Sequence, residues 1–332
     1  MHPLLRSAAR RQLGLVTAVD ARRAGYGPAE IRHLCSSGRW RRLRRGIYIP
    51  ADDFASAEDA GRRHQLECLA VLLSLDRPTV AVSHGSAARL IGLPRPRGRD
   101  GVIRLTDPAH SRDGRGFHVS RAPLEPAEVI TRGPFRLTTT ARTLVDCARE
   151  EPLDDAVVAM DAALLARRVS EQQLRDAAER AARWKGGPSA TRALSLANGR
   201  SESPLETRGR LRIVGAGLPT PELQVDIRTE GRLVGVVDAW FEDAAVAVEF
   251  DGKVKYTDPW RGRSPERVLW EEKRREDDLR ALDIAVVRVT DGDLGSPWPR
   301  TEAALRRLLT RPAPDGRRFT ATPRALGRVR AS

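Results

Sequence analysis

The sequence predicts an α+β protein made of several domains, and three observations lead to this prediction. The chain has 332 residues, which is enough for two or three separate hydrophobic cores. Hydrophobic residues make up 40% of it and charged residues 31%, as in a globular protein that is not disordered. Helix-like and strand-like segments alternate along most of its length. The predicted regions are a small helical domain with a hairpin (1–54), a mixed α/β region (55–183), a linker (184–202), an α-β-β-β-α-β domain (203–310) and a basic disordered tail (311–332).

The sequence has no feature of a membrane or secreted protein. No apolar run approaches the length of a membrane span, and the N-terminus lacks the apolar core of a secretory signal. The three cysteines, Cys35, Cys68 and Cys147, do not have the spacing of metal ligands. We therefore expect a cytoplasmic protein with reduced thiols and without a membrane partner.

Positive charge is concentrated at the N-terminal end of the chain. The formal net charge is +14, and residues 1–50 contain eleven arginines against two acids, 11 − 2 = +9. Only four of the 58 basic residues are lysine, a skew that a GC-rich genome would itself produce, so the arginine count alone is weak evidence. The uneven distribution is more informative and indicates a nucleic-acid-binding module.

The first fifty residues predict three short helices followed by a basic hairpin. Thr17 is the predicted N-cap of the second helix, Pro28 the first residue of the third helix and Gly38 its stop. The stretch RWRRLRRGIYIP, residues 39–50, predicts a hairpin around Gly46. This is the order of a winged helix-turn-helix, in which the third helix enters the major groove and the wing touches the DNA backbone.

Basic side chains on the predicted third helix and wing are the candidates for DNA contacts. They are Arg32 on the helix and Arg39, Arg41, Arg42, Arg44 and Arg45 on the wing. Contacts of this kind with phosphates supply affinity and salt dependence without sequence choice. The alternative is a small helical domain whose charge reflects only the arginine-rich composition.

The N-terminal half resembles a known family over roughly residues 5–150. The basic wing RRLRRGIYIP, together with SHGSAARLIGLP (83–94) and LTTTARTLVDCARE (137–150), is similar to the AbiEi-like antitoxins of type IV toxin–antitoxin systems. The resemblance implies that this half binds double-stranded promoter DNA and represses its own operon. It also implies a cognate toxin as a partner protein.

The middle region predicts a mixture of helices and strands. Residues 56–75 predict one amphipathic helix, and residues 152–183 are helical almost throughout. We expect His84 to have a structural role as a helix cap. Arg142 and Asp146 have i,i+4 spacing, and we expect them to form a structural ion pair.

The C-terminal region places three carboxylates on one face of a predicted hairpin. Strands over residues 232–241 and 245–251 would turn at Asp243–Ala244, so that opposed residue numbers sum to 487 and Asp238 faces Glu249. Because side chains alternate along a strand, Asp251 lies on the same face as Glu249.

Carboxylates that converge in this way repel each other, so another interaction must offset the free-energy cost of that repulsion. A divalent cation such as Mg²⁺ would do so, because hard cations prefer carboxylate oxygens. Glu206, in the helix before the sheet, is a fourth acid that either joins the cluster or caps that helix. The alternative is a solvated sheet face with scattered acids.

These residues resemble the PD-(D/E)XK nuclease superfamily over residues 200–310, and more narrowly the branch related to very-short-patch repair endonucleases. The resemblance implies a restriction-endonuclease-like fold that hydrolyses phosphodiester bonds with Mg²⁺ or Mn²⁺. It implies that Asp238 and Glu249 are metal ligands, that Asp251 is a third ligand or a substitute for the usual lysine, and that Lys253 activates water. Glu206 would complete the catalytic set.

The main hypothesis is therefore a DNA-binding protein with a metal-dependent endonuclease domain, acting in phage defence. The alternative is a non-catalytic AbiEi-like antitoxin or repressor whose C-terminal half only binds nucleic acid or a partner protein. The sequence departs from the nuclease pattern at two positions, of which Asp251 favours the alternative, whereas the converging acids followed by Lys253 and Lys255 favour the enzyme. Val237 replaces the proline before the first acid, and Asp251 stands at the usual lysine position.

Overall fold

The computed structural model describes residues 2–94, 101–252, 265–312 and 316–325. The chain divides into two compact units, the first formed by Met1–Ala159 and Val169–Arg192 and the second by Met160–Arg168 and Ala193–Ser332. Every helix in the described ranges is too short or too polar to cross a bilayer.

Unit 1 begins with the predicted winged helix-turn-helix. Its elements are α1 (Pro3–Arg11), β1 (Val16–Thr17), α2 (Ala18–Arg23), α3 (Pro28–Ser36), β2 (Trp40–Arg44) and β3 (Ile47–Pro50). The strands form an antiparallel sheet in the order β1-β3-β2. Thr17 caps α2 reciprocally with Asp20, because each side chain accepts a hydrogen bond from the other residue's backbone N–H at 3.0 Å. Pro28 is the first residue of α3, so the predicted helix starts at Thr17 and Pro28 are confirmed.

The middle region of unit 1 is a mixed six-stranded sheet covered by helices. The elements are α4 (Ala51–Asp59), α5 (Arg63–Leu75), β4 (Ala81–Val82), α6 (His84–Leu90), β5 (Ile103–Asp107), β6 (Arg112–Gly114), β7 (Phe117–Arg121), β8 (Val129–Arg132), β9 (Phe135–Thr138), α7 (Thr140–Ala148), α8 (Leu153–Leu165) and α9 (Glu171–Ala181). Helix α8 belongs to unit 1 up to Ala159 and to unit 2 from Met160 onward. The strand order is β6-β7-β5-β4-β9-β8. The single helix predicted over 56–75 is wrong, because the chain breaks between α4 and α5 at Gly61, whose φ is +66°.

The segment predicted as a linker, 184–202, contains a further helix, α10 (Gly187–Leu196). The glycines of this segment suggested a flexible boundary. In the structure one of them allows the backbone of the segment to lie close to the backbone at Arg149. Gly186 has φ +79°, and a Cβ atom there would collide with the backbone of Arg149. A composition rich in glycine therefore marks tight packing at this point of unit 1.

A buried guanidinium organises the helices of unit 1. Arg142, whose side chain is 1% exposed, donates hydrogen bonds to Asp146 and Glu128, each at 2.9 Å. Its guanidinium carbon lies 4.6 Å from the ring centroid of Trp184. The predicted structural pair of Arg142 and Asp146 is confirmed, and it is part of a larger network.

Unit 2 has the predicted order α-β-β-β-α-β-α and one additional strand. The elements are α11 (Pro204–Gly215), β10 (Glu222–Thr229), β11 (Arg232–Phe241), β12 (Val246–Asp251), α12 (Pro265–Arg280), β13 (Ala285–Thr290), α13 (Trp298–Leu309) and β14 (Thr320–Pro323). The sheet order is β13-β12-β11-β10-β14, with only β12 and β13 parallel. Residues 320–323, predicted as disordered tail, form the edge strand β14. The assignment of this order to the restriction-endonuclease-like fold stays a prediction.

Both faces of the unit 2 sheet are buried. On one face Val248 and Phe250 pack in a core with residues of α11, including Ile213. On the other face Trp240, which is 0% exposed, packs in a second core with Leu279 of α12. The face that carries Glu249 is therefore the one packed with Leu279, and Glu249 is 8% exposed, so it does not lie on a solvated sheet face.

Helix α11 approaches β12 closely because residue 209 has no side chain. A Cβ atom on Gly209 would overlap the ring of Phe250, which is 3% exposed. Gly215, the last residue of the same helix, has no atom within 4 Å of its ideal Cβ position. Gly209 thus fixes the distance between the helix and the strand that carries Glu249.

Replacing Gly209 with alanine should lower the free energy of unfolding by about 1–3 kcal/mol, because an extra methyl group overpacks a filled core. The matched change Gly215→Ala should be neutral or stabilising by about 0.5–1 kcal/mol, because alanine favours the helix and meets nothing. Urea titration of both variants measures the difference, and equal stabilities would contradict this account of the packing.

Candidate functional site

Four of the five wing arginines are exposed. Arg39, Arg41, Arg42 and Arg45 lie at or next to the β2–β3 hairpin, and on α3 the exposed Arg32 follows the buried Ile31. The Arg41 guanidinium covers the ring of Phe54 at 4.0 Å. These side chains give the wing and α3 a basic surface, as the sequence predicts.

Arg44 differs from the other wing arginines because it faces the six-stranded sheet. It donates a hydrogen bond to the carbonyl oxygen of Arg115 at 3.1 Å, and its guanidinium lies 5.0 Å from the ring centroid of Phe117. Burial lowers the pKa of Arg44, while the nearby charge of Glu67 acts in the opposite direction. Arg44 therefore joins the wing to the sheet and is poorly placed for a phosphate contact.

Sequence reasoning missed three exposed basic side chains on the helix-turn-helix. Arg22 and Arg23 lie in the last turn of α2, and His33 lies next to Arg32 on α3. Their positions on the two helices of the motif were enough to mark them as candidates for DNA contacts. The prediction considered mainly the wing, where the basic residues are more closely spaced.

The predicted register of the acidic hairpin is confirmed. Ala239 pairs with Val248 and Trp240 pairs with Ala247, so opposed residue numbers sum to 487. This register sets Asp238 opposite Glu249, and the turn spans residues 242–245. Asp238 is 4% exposed and Glu249 is 8% exposed, so two carboxylates converge inside the protein.

Glu206 is linked to this pair through a glutamine that sequence reasoning did not single out. Gln224 lies on β10 with φ +55°, and its side-chain nitrogen donates to Glu206 at 3.0 Å and makes a longer contact of 3.5 Å with Asp238. Glu206 also accepts a hydrogen bond from the backbone N–H of Glu202 at 2.7 Å. Glu206 therefore joins the cluster, and α11 is capped by Ser203, whose hydroxyl accepts a hydrogen bond from the backbone N–H of Glu206.

Glu249 is paired with an arginine of α12. The two terminal nitrogens of Arg275 contact the two carboxylate oxygens of Glu249 at 2.8 and 3.0 Å. Burial raises the pKa of Glu249, Arg275 opposes that rise, and the charge of Asp238 adds to it. Asp238 in turn accepts a hydrogen bond from the backbone N–H of Phe250 at 2.8 Å.

The arrangement does not fit the predicted divalent metal. Within the described ranges, no group of three or more histidine, cysteine or carboxylate side chains is placed to hold a metal ion. A cation would need the oxygens of Glu249 that Arg275 already binds. Asp251 ends β12 half-buried opposite Thr290, and the predicted activator Lys253 lies outside the described residues.

Unit 1 contains a cavity that sequence reasoning missed. It has a volume of about 370 Å³ and is lined by residues that include His64, Glu67, His84, Arg104 and Glu150. His84 is buried, with Nδ1 2.8 Å from the hydroxyl of Ser83 and Nε2 3.4 Å from Glu150. The prediction that His84 caps a helix is wrong, because Ser83 is the N-cap of α6 and His84 is its first residue. Burial alone would raise the pKa of Glu150, but His84 and Arg104 outweigh it and bring that pKa to about 2.

Comparison with known proteins finds a family match at the N-terminal end and similar mycobacterial proteins. Residues 3–51 match the family AbiEi_4, described as "Transcriptional regulator, AbiEi antitoxin". Two curated proteins of Mycobacterium tuberculosis, "Uncharacterized protein Rv2248" of strain H37Rv and "Uncharacterized protein MT2308" of strain CDC 1551, are each 29% identical over 174 residues. The alignment covers 52% of this chain and 62% of each relative, so the chain spans less than two thirds of their length.

A solved structure is also similar to part of the chain. It is described as "Crystal structure of RV2827C protein from Mycobacterium tuberculosis", with a TM-score of 0.41, 19% identity, and coverage of 62% of this chain and 78% of that one. The family match ends at residue 51, so the predicted resemblance of residues 55–150 stays a prediction. Residues 3–51 are therefore similar to the AbiEi antitoxin family, and about half of the chain is distantly similar to the two curated mycobacterial proteins.

Proposed function

We propose that the chain is an AbiEi-type transcriptional regulator that binds double-stranded DNA through its winged helix. The observation that carries the proposal is the coincidence of two boundaries. The family match covers residues 3–51, and the three helices and the wing span residues 3–50. The role that the family description gives thus falls on a complete structural module.

The exposed basic residues support the same proposal. In a winged helix the third helix enters the major groove and the wing meets the backbone. Arg32 on α3 and Arg42 and Arg45 on the wing are exposed at the corresponding positions. Arg44 fixes the wing to the six-stranded sheet, which orients it before DNA binds.

The role of unit 2 in this proposal is non-catalytic. Its acids are bound by hydrogen-bond donors of the chain itself, from Arg275, Gln224 and the backbone of Phe250. The antitoxin family of residues 3–51 points to a cognate toxin as a partner of the protein. Repression of the chain's own operon belongs to the same proposal.

Affinity for duplex DNA should fall with salt in proportion to the number of phosphates that the protein neutralises. Removal of one phosphate-binding arginine reduces the slope of log K against log salt by about 0.9, so the double change Arg42→Ala and Arg45→Ala should reduce it by roughly 2. Fluorescence anisotropy with a labelled duplex at several salt concentrations measures the slope.

Two single changes serve as controls for that experiment. Arg175→Ala removes an exposed arginine of α9, far along the chain from the wing, and should leave the slope unchanged. Arg44→Ala should lower the melting temperature while it changes the slope little, because Arg44 contacts the sheet. An equal slope for the wild type and the Arg42/Arg45 variant would contradict the wing assignment.

Endonuclease activity stays a prediction from the sequence, and plasmid cleavage tests it. Under the regulator proposal the wild type leaves supercoiled plasmid intact with Mg²⁺ or Mn²⁺, and Asp238→Asn and Glu249→Gln behave identically. Cleavage by the wild type that disappears in either variant would overturn the regulator proposal in favour of the nuclease. Circular dichroism confirms that each variant is folded.

A further inference from the structure

The buried acids Glu206, Asp238 and Glu249 each meet a hydrogen-bond donor of the protein. Glu206 accepts from the backbone of Glu202 and the side chain of Gln224, at 2.7 and 3.0 Å. Asp238 accepts from the backbone N–H that follows Glu249, at 2.8 Å, and Glu249 itself accepts from an arginine of α12. Buried carboxylates need such donors, because removal from water without them is costly.

That arginine, Arg275, is held in place from three sides. Its nitrogens bind both oxygens of Glu249, and one of them also donates to the carbonyl oxygen of Val236 at 3.2 Å. Its aliphatic carbons pass over Gly235, where a Cβ atom would lie 3.0 and 3.1 Å from them. A side chain at position 235 would press on these carbons, so the glycine leaves room for the arginine to pass over β11.

The two-point contact matches the geometry that a guanidinium makes with a carboxylate. It brings one full positive charge to the place where two acids of opposed strands meet. Magnesium would need the same oxygens at about 2.0–2.1 Å in an octahedral shell. The Arg275 nitrogens at 2.8 and 3.0 Å leave no room for both.

We propose that Arg275 takes the place of a divalent cation between α12 and the Asp238–Glu249 pair, so that unit 2 is stabilised by an internal arginine and does not require metal. This inference goes beyond DNA binding by the winged helix, because it concerns another unit and another chemistry. It assigns Arg275 a positioning role: the residue neutralises Glu249 and ties α12 to the sheet.

The first test uses the full-length wild type. Its melting temperature should stay within about 1 °C in EDTA, Mg²⁺ or Mn²⁺ at matched ionic strength, because an ion that does not bind the folded state leaves its stability unchanged. Electron paramagnetic resonance should show added Mn²⁺ as the free ion. A clear rise in melting temperature, or a bound Mn²⁺ signal that Glu249→Gln abolishes, would overturn the proposal.

The second test separates charge from packing. Arg275→Ala should lower the melting temperature by about 4–10 °C, because it leaves Glu249 buried without its cation. In a Glu249→Gln background Arg275→Ala should lower the melting temperature much less, because position 249 then carries no charge to be neutralised. An equal loss in both backgrounds would show that Arg275 acts only by packing and would overturn the proposal.

The matched control for this test is Arg274→Ala. Arg274 is the neighbouring residue on α12, is exposed and lies over the ring of Trp270 at 5.4 Å. Its removal should change the melting temperature little in either background. Should Arg275→Ala fail to fold, the manganese measurement on the wild type still decides the question.

Discussion

Pairing of buried carboxylates with arginine is the interaction on which both units depend. In unit 1, Arg142 of α7 binds the buried carboxylates of Asp146 and Glu128. In unit 2, Arg275 binds Glu249 from α12, and Arg210 of α11 binds the buried Asp161 at 2.9 Å. Such a pair adds little to the free energy of unfolding compared with well-packed apolar residues in its place. Removal of one partner, however, leaves a buried charge and costs about 3–5 kcal/mol. Each pair therefore fixes how the paired segments lie against each other more than it adds net stability.

The same residue type thus has two opposite uses in one chain. Of the 58 basic residues, 58 − 4 = 54 are arginine, and part of them point outward on the winged helix. Others point inward and neutralise acids, as Arg142 and Arg275 do. Net charge therefore indicates a polyanionic partner only through the arginines that remain exposed. Exposed and internally packed arginines can be neighbours in the sequence. Arg44 lies between exposed arginines of the wing and yet contacts Phe117 of the sheet.

Local signals in the sequence predicted local structure well. The N-cap at Thr17, the helix start at Pro28 and the register that sets Asp238 opposite Glu249 depend on neighbouring residues, and all agree with the structure. The cation that offsets the acids could not be predicted in the same way. Arg275 lies 26 residues from Glu249, and the acids at helical spacing on α12, Glu271 at i−4 and Asp278 at i+3, offered equally good partners. A helix–sheet contact decides between them, and no spacing rule encodes it. Helix α10 and strand β14 were missed because glycine and proline suggested breaks where packing holds the chain.

The sheet of unit 2 is complete only after strand β14 has been synthesised, because β14 pairs with the much earlier strand β10. It pairs with β10 at a distance of 98 residues, since Val225 lies opposite Pro323 and 323 − 225 = 98. At an elongation rate of about 5–20 residues per second, the ribosome needs roughly 5–20 s to make the second strand after the first. During that time the outer edge of β10 has its N–H and C=O groups unpaired, a template for association between nascent chains. Translation speed and the shielding of the growing polypeptide therefore enter into how much of this protein reaches its native form.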